Sequence, residues 1–312
     1  MEVWHLHQRT ALWKRMVEYK YFYLLVAPLL AFYILFEYVP LYGLLLAFKD
    51  FNFAKGIWRS DWIGWANFEE IFRLSDFWSA FRNTVIIAFG RLIFEFPVPI
   101  VVAILLNEVR RARLKKFYQV VYTFPHFLSW VIISGILVNF LGSFGVLNQI
   151  LDMLGFDKMN LLVDPESFRA LIFGSSLWRD LGWGTIIYLA AIAGINPSLY
   201  EAASIDGANR FQQMWHITWP GLKSTVAILF ILNVGATMSS GGGGFDQIFN
   251  LYNPAVYEKA DILDTYIYRR TFSVGESYGT STAVGLFKSV INFLLLYMAN
   301  KTAQKLGQEG IF

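Results

Sequence analysis

Among the ionisable side chains inside apolar runs of this chain are Arg91 and Glu95 within 85–106, Arg179 and Asp180 within 170–195, and Lys288 within 280–300. A charge in hydrocarbon is costly unless it faces a polar cavity or finds a partner, so each is a candidate for lining a solute route. Arg91 and Glu95 lie one helical turn apart and can pair along one face. Arg179 and Asp180 are adjacent, so on a regular helix they do not face one another. Lys288 has no acid within its own run. With Trp178, Trp183, Asn233 and Asn292 these residues form the candidate substrate pathway. Arg179 or Lys288 is expected to face the route, which makes an acidic oligosaccharide such as a uronate a candidate cargo. Sugar rings present C–H faces that stack on aromatics and hydroxyls that need fixed polar partners. The chain is 18% aromatic, although membrane interfaces use the same side chains as anchors.

Other chemistries find no support in the residues. No serine, histidine and carboxylate are arranged as a nucleophilic site, and no carboxylate pair points to glycosidase chemistry. The glycine run 241–244 is not followed by Lys-Ser or Lys-Thr, so it is not a phosphate-cradling loop, and ATP must act through another subunit. His5, His7, His126 and His216 are too scattered for a metal site, and there is no cysteine. No catalytic residue, metal or cofactor is therefore expected on the chain. An integral-membrane enzyme and an ion-coupled secondary carrier are the alternatives. The carrier would need intramembrane charges, which are present in part, and internal repeats, of which there is no sign.

The elements that must position these residues follow from composition. The 312 residues are 56% hydrophobic and 16% charged, far more apolar than an average soluble domain. Apolar runs at 21–48, 85–106, 117–141, 170–195, about 220–238 and 280–300 predict six membrane-spanning helices, an all-α polytopic fold. The first is too long for a signal-peptide core and carries Pro28, where a kink is expected. The third is interrupted at Pro125-His126. Residues 146–151 read as a short amphipathic surface helix, and 239–279 as a long polar loop. Residues 1–20 form a basic lead, 21–305 the membrane domain and 306–312 a tail. Lys and Arg concentrate in the lead, in 107–116, in 196–223 and at Lys301 and Lys305. The positive-inside rule therefore places both termini and the 196–220 loop in the cytoplasm. Tryptophans 58, 62, 65 and 78 suit a membrane interface.

The 196–220 loop is polar but lies between two apolar runs. Ser198 and Glu201 have the spacing of a capping box, predicting a helix from Leu199. Asp206-Gly207 should end it, because glycine enters the left-handed conformation without steric penalty. A second short helix, 208–216, should run up to Pro220.

Glu201-Ala202-Ala203, Gly207, Ile217 and Pro220 resemble the EAA loop of ATP-binding-cassette importer permeases, with Trp219 standing where the family usually has leucine. In that family the loop forms coupling helices that sit in a cleft on the ATPase, which assigns coupling to these residues and to Phe211. The pair Asn83-Thr84, the triplet 124–126 (Phe-Pro-His) and the stretch 245–254 resemble the sugar and polysaccharide branch. The resemblance implies a bacterial cytoplasmic (inner) membrane permease with several partners. These are a second homologous permease, two ATPase subunits that bind ATP and Mg, an extracytoplasmic solute-binding protein and a saccharide. No nucleic acid is implied.

Overall fold

The computed structural model describes residues 17–238, 244–274, 277–308 and 310–311. Most of the basic lead, His5 and His7, and all of the glycine run except Gly244 lie outside them. The chain divides into two compact units, Met1–Phe68 with Ser277–Ala283, and Glu69–Glu276 with Val284–Phe312.

In the first unit, α1 (Lys20–Tyr33) continues through a π turn, Ile34–Tyr38, into a 3-10 stretch, Val39–Phe48. The helix passes through Pro28, and the change of helical type falls at Ile34. None of its residues is buried; Tyr21, Phe22, Leu24 and Leu25 are all exposed. A helix apolar on every side and uncovered by its own chain has the bilayer or another helix as its solvent. Beyond it, Lys49–Asp50 and Asp61–Trp62 form a two-residue antiparallel ladder. Lys49 Nζ closes the turn by donating to the carbonyls of Ile57 (2.8 Å) and Trp58 (3.2 Å). Trp58, Trp62 and Trp65 remain exposed.

The second unit is built on α2 (Ser75–Phe94), α3 (Pro97–Asn107), α4 (Ala112–Thr123), α5 (Trp130–Leu141), α6 (Val146–Met153) and α7 (Pro165–Ala193). After these come α8 (Pro197–Ile205), α9 (Arg210–Gln213) and α10 (Trp219–Thr237). Three short helices then follow, α11 (Phe245–Leu251), α12 (Tyr257–Ala260) and α13 (Leu263–Tyr268), before α14 (Tyr278–Lys305), which belongs to this unit from Val284 on. Among the described residues five helical stretches are long and apolar enough to cross a membrane: Lys20–Phe48, Ser75–Asn107, Trp130–Met153, Arg210–Thr237 and Tyr278–Lys305. The pair α7 and α8, bent by 69°, counts as a sixth when taken as one broken span. The expected third run starts earlier in sequence and is broken where expected, by the 3-10 turn Phe124–Phe127 between α4 and α5.

Helix α7 is the central element, packing against α3, α4, the Phe124–Phe127 turn, α10 and α12. Its start is fixed locally. Pro165 occupies the first turn, where no amide hydrogen is needed, and the Asp164 carboxylate accepts from the Ser167 amide at 3.0 Å. Hydrogen bonds from Ser167, hydroxyl first and then amide, hold the Asp164 carboxyl below the usual carboxylate range. At Gly182 a Cβ would run into the Tyr122 backbone, so the absence of a side chain sets how closely α7 approaches α4. Between α10 and α14 the close approach is made by Ala299 and Ala303 against Ile231 and Val234.

Residues 245–268 are not the polar loop that composition predicts. Ile248, Leu251, Val256, Ala260 and Ile262 are buried with Ile87, Phe168 and Ile172 in one core cluster. The segment reads as polar from its Asp, Glu, Lys and Asn residues, yet its backbone is fastened by polar side chains of α2 and α7. Asn83 Nδ2 donates to the carbonyls of Glu258 (2.9 Å) and Asp261 (3.1 Å), its Oδ1 accepts from Arg169 (2.7 Å), and Thr84 Oγ1 accepts from the Leu263 amide (2.9 Å). In the same segment burial pushes the Tyr252 hydroxyl up to about 12. Burial also raises the Asp261 carboxyl above its ordinary value, against the opposing pull of its Thr265 and Arg269 hydrogen bonds.

Candidate functional site

A cavity of about 570 Å³ lies among α2, α3, the Phe124–Phe127 turn, α7 and α10. Arg91, Glu95, Asp180, Trp183 and Asn233 of the candidate pathway all line it, together with His126, Ser176, Tyr188 and Thr237. Its volume falls within the range of roughly 300–1,000 Å³ usual for ligand sites.

The charges are held by partners distant in sequence. Arg91 Nε stands 3.8 Å from Glu95 Oε1, the pairing that the one-turn spacing predicts. The same guanidinium donates to Gln247 Oε1 from α11, and Ser176 of α7 donates its hydroxyl to Glu95. Gln247, fully buried, uses its amide nitrogen on the Ile172 carbonyl (2.7 Å) and Ser175 Oγ (2.8 Å). Further along α7 Asp180 Oδ1 meets His126 Nδ1 at 2.7 Å, and the His126 ring stacks on Trp183 with centroids 4.7 Å apart and planes at 6°. The lining therefore offers a flat aromatic face beside carboxylate, guanidinium, amide and hydroxyl groups. Such a surface suits a solute that has both C–H faces and hydroxyls.

Four pathway candidates sit elsewhere. Arg179 and Asp180 do face one another: Arg179 Nη1 lies 3.0 Å from Asp180 Oδ1. The helix vectors diverge as expected, but the long arginine folds back, donating from Nε to the Leu128 carbonyl and lying over the Trp130 ring. Arg179 thus braces the break between α4 and α5 instead of lining the cavity. Lys288 is buried and paired with Asp264 of α13, an acid that no inspection of its own helix could find. Asn292 donates to the Gly235 carbonyl at 2.9 Å and joins α14 to α10. Trp178 is half exposed on the outer face of α7 and does not line the cavity. Ser176 and Gln247 were missed as site residues because a serine and a glutamine carry no charge to draw attention in an apolar run. His126 was visible as one of four scattered histidines and as the end of the Phe-Pro-His triplet, but nothing local placed it in the cavity.

The 196–220 loop has the predicted hinge and a different cap. Helix α8 begins at Pro197, not Leu199, and Asn196 caps it by accepting from the Ser198 amide at 3.0 Å. Proline at the first position starts the helix before Ser198 can serve as cap, so Glu201 is exposed and completes no capping box. The box occurs at the next helix, where Asn209 Oδ1 accepts from the Gln212 amide (2.9 Å) and Gln212 Oε1 from the Asn209 amide (2.7 Å). Gly207 has φ +78°, and the Ala208 amide reaches back to the Ala203 carbonyl at 2.8 Å, closing α8 in the left-handed manner expected. Ala203, Gly207 and Ile217 line a shallow cleft of about 290 Å³ with Gln213 and His216. Ala202 and Phe211 are exposed, and Pro220 lies in the first turn of α10, which follows α9 through the π turn Met214–Thr218.

A helical membrane domain that encloses a polar, aromatic-lined cavity and carries an exposed two-helix loop is a transport component. The chain belongs to the family of binding-protein-dependent transport system inner membrane components, which matches residues 95–306. It is 42% identical to the polygalacturonan/rhamnogalacturonan transport system permease protein YteP of Bacillus subtilis (strain 168), over 98% of this chain and 94% of that one. It is also 42% identical to protein LplB of the same organism, over 94% of this chain and 91% of LplB. Among solved structures it resembles a chain of a bacterial alginate ABC transporter in complex with an alginate pentasaccharide-bound periplasmic protein. The TM-score is 0.87 at 36% identity, over 96% of this chain and 99% of that one. Family membership makes the chain a multi-pass inner-membrane transport subunit and not an enzyme, and it removes the ion-coupled carrier from consideration.

Proposed function

We propose that the chain forms part of the translocation route of an ATP-driven importer of oligosaccharides derived from acidic polysaccharides. The observation that carries this reading is the cavity in which Trp183, stacked on His126, stands beside Arg91, Glu95, Asp180 and Asn233. Relatives named for polygalacturonan/rhamnogalacturonan transport and for alginate import support an acidic cargo. The cation lining the cavity is Arg91, so a cargo carboxylate would compete with Glu95 for its guanidinium; Arg179 and Lys288 are committed to Asp180 and Asp264.

In this reading a second, homologous permease completes the route in the bilayer, and a solute-binding protein delivers the saccharide from outside. A dimer of ATPase subunits, where ATP and Mg bind, docks on the 196–220 loop. Both termini and that loop face the cytoplasm. Residues 21–305 are the permease domain, and no nucleic acid takes part.

The test is reconstitution of this chain with its partner permease, ATPase and binding protein in vesicles, followed by uptake of labelled oligogalacturonide. ATP-dependent uptake that requires the binding protein, and that falls in Trp183→Ala without loss of assembly, is the expected result. Uptake driven by an ion gradient with the ATPase omitted would refute the reading, as would unchanged uptake in Trp183→Ala.

A further inference from the structure

On a different face of the second unit, α3 and the start of the Arg210–Thr237 stretch leave a groove of about 440 Å³ whose wall is almost wholly apolar. Val101, Ile104 and Leu105 form one side, and Phe211, Trp215 and Trp219 the other. Val101, Leu105, Phe211 and Trp215 are each more than half exposed, so nothing among the described residues covers the groove. Two indoles at its wall suit a membrane–water boundary, where the ring meets hydrocarbon and the N–H meets water.

The groove ends at the densest basic cluster in the chain. Helix α3 stops at Asn107, and Arg110, Arg111, Arg113, Lys115 and Lys116 follow within nine residues. Four of these five are exposed; Lys115 is tied back to the end of α3 by its contact with Asn107 Oδ1 at 3.5 Å. Arg210, adjacent to the groove residue Phe211, lies 3.2 Å from Glu108 and keeps much of its side chain exposed. A single acid, Glu108, thus stands among six cations at this edge, and positive charge is left over.

We propose that this groove binds one anionic phospholipid, with an acyl chain along Val101, Leu105, Phe211 and Trp215 and the headgroup phosphate among Arg110, Arg111, Arg113 and Arg210. Each half of the ligand has its own complement: exposed apolar surface for the chain, and an excess of guanidinium groups for the phosphate. Clusters of four to eight Lys and Arg beside a membrane helix attract anionic headgroups. Guanidinium groups also match phosphate geometry in a way that a lysine point charge does not. The site joins the end of α3 to the first turn of the stretch leading out of the 196–220 loop. An occupied groove would therefore hold that loop's exit against α3.

The assembled transporter in nanodiscs of mixed phosphatidylglycerol and phosphatidylcholine, spiked with a diazirine-tagged phosphatidylglycerol, tests this by photo-crosslinking and peptide mapping. Crosslinks are expected in 101–105 and 211–219, competed by unlabelled phosphatidylglycerol and not by phosphatidylcholine. Arg110, Arg111, Arg113 and Arg210→Gln together should lower that labelling at least about tenfold. Val101→Trp, which fills the groove and leaves the cations in place, should abolish it. Equal competition by both lipids would overturn the proposal, as would full labelling in Val101→Trp. Because the chain has no native cysteine, Leu105→Cys also reports on the alternative occupant. Disulfide or bifunctional crosslinking of that cysteine to the partner permease would mean that a protein helix fills the groove, and would equally overturn it.

Discussion

The cavity and the 196–220 loop solve the placement of polar residues in opposite ways. In the cavity every charge has a partner distant in sequence, Arg91 in Gln247, Glu95 in Ser176 and Asp180 in His126, at separations of 156, 81 and 54 positions, beside the local pairs Arg91–Glu95 and Arg179–Asp180. In the loop the bonds that shape its short helices are local, with Asn196 capping Ser198, Asn209 pairing with Gln212 and Ala208 reaching Ala203, and Arg210–Glu108 is a tie to a distant segment. The cavity is therefore specified by the fold, and disturbing it should damage the fold. The loop is specified by its own sequence and leaves Glu201, Ala202 and Phe211 exposed. What those exposed residues do must come from another molecule.

The sharpest way to break this contrast is Arg91→Met, which leaves Glu95 and Gln247 without their shared guanidinium. Removing one partner of a buried ion pair costs roughly 3–5 kcal/mol, so a marked fall in thermal midpoint and in membrane-inserted yield is expected. An unchanged midpoint would mean that the cavity charges do not support the fold. Gly182→Val should follow, since the added side chain meets the Tyr122 backbone, which cannot swing away as a side chain can. Overpacking of this kind costs about 1–3 kcal/mol and should separate α7 from α4, lowering uptake and thermal stability together.

The loop variants should behave differently. Gly207→Val puts a β-branched residue at positive φ, a local strain of roughly 1–3 kcal/mol. Insertion and global stability should remain near normal, while ATPase association or substrate-stimulated ATP hydrolysis is lost. A global loss of stability would erase the distinction between the regions. The smallest effect on stability belongs to Asn196→Ala, which removes the cap of α8 at about 0.5–2 kcal/mol and should speed amide exchange at Ser198. Because Glu201 is not part of that cap, Glu201→Ala should leave exchange unchanged and still weaken ATPase association. Glu201→Gln then tells whether its charge or only its shape is used across the boundary.

Much of the architecture was legible because it depends on local rules. Runs of apolar residues gave the spans, Pro125 and His126 the break between α4 and α5, and Asp206-Gly207 the end of α8. The Arg91–Glu95 pairing was legible for the same reason, since a four-residue spacing on a helix brings side chains together wherever the helix sits. Reading failed where a second segment decided the outcome. Lys288 looked unpaired because its acid, Asp264, belongs to α13, and residues 245–268 looked like a polar loop because their buried face is completed by α2 and α7. At the start of α8 the local signals compete, and Asn196 with Pro197 outranks the Ser198–Glu201 spacing.

Sequence by itself determined that this is a polytopic helical membrane protein with a glycine-hinged loop between two spans. Hydropathy, helix periodicity and the steric freedom of glycine act within a few residues of one another. Only the tertiary structure decided which polar residues face the cavity. Arg91, Glu95, Asp180, Trp183 and Asn233 converge there with His126 and Ser176, whereas Lys288 and Asn292 are used in packing. A buried charge costs the same wherever it lies along the chain, so whether it lines a route or pairs off depends on which distant residue reaches it.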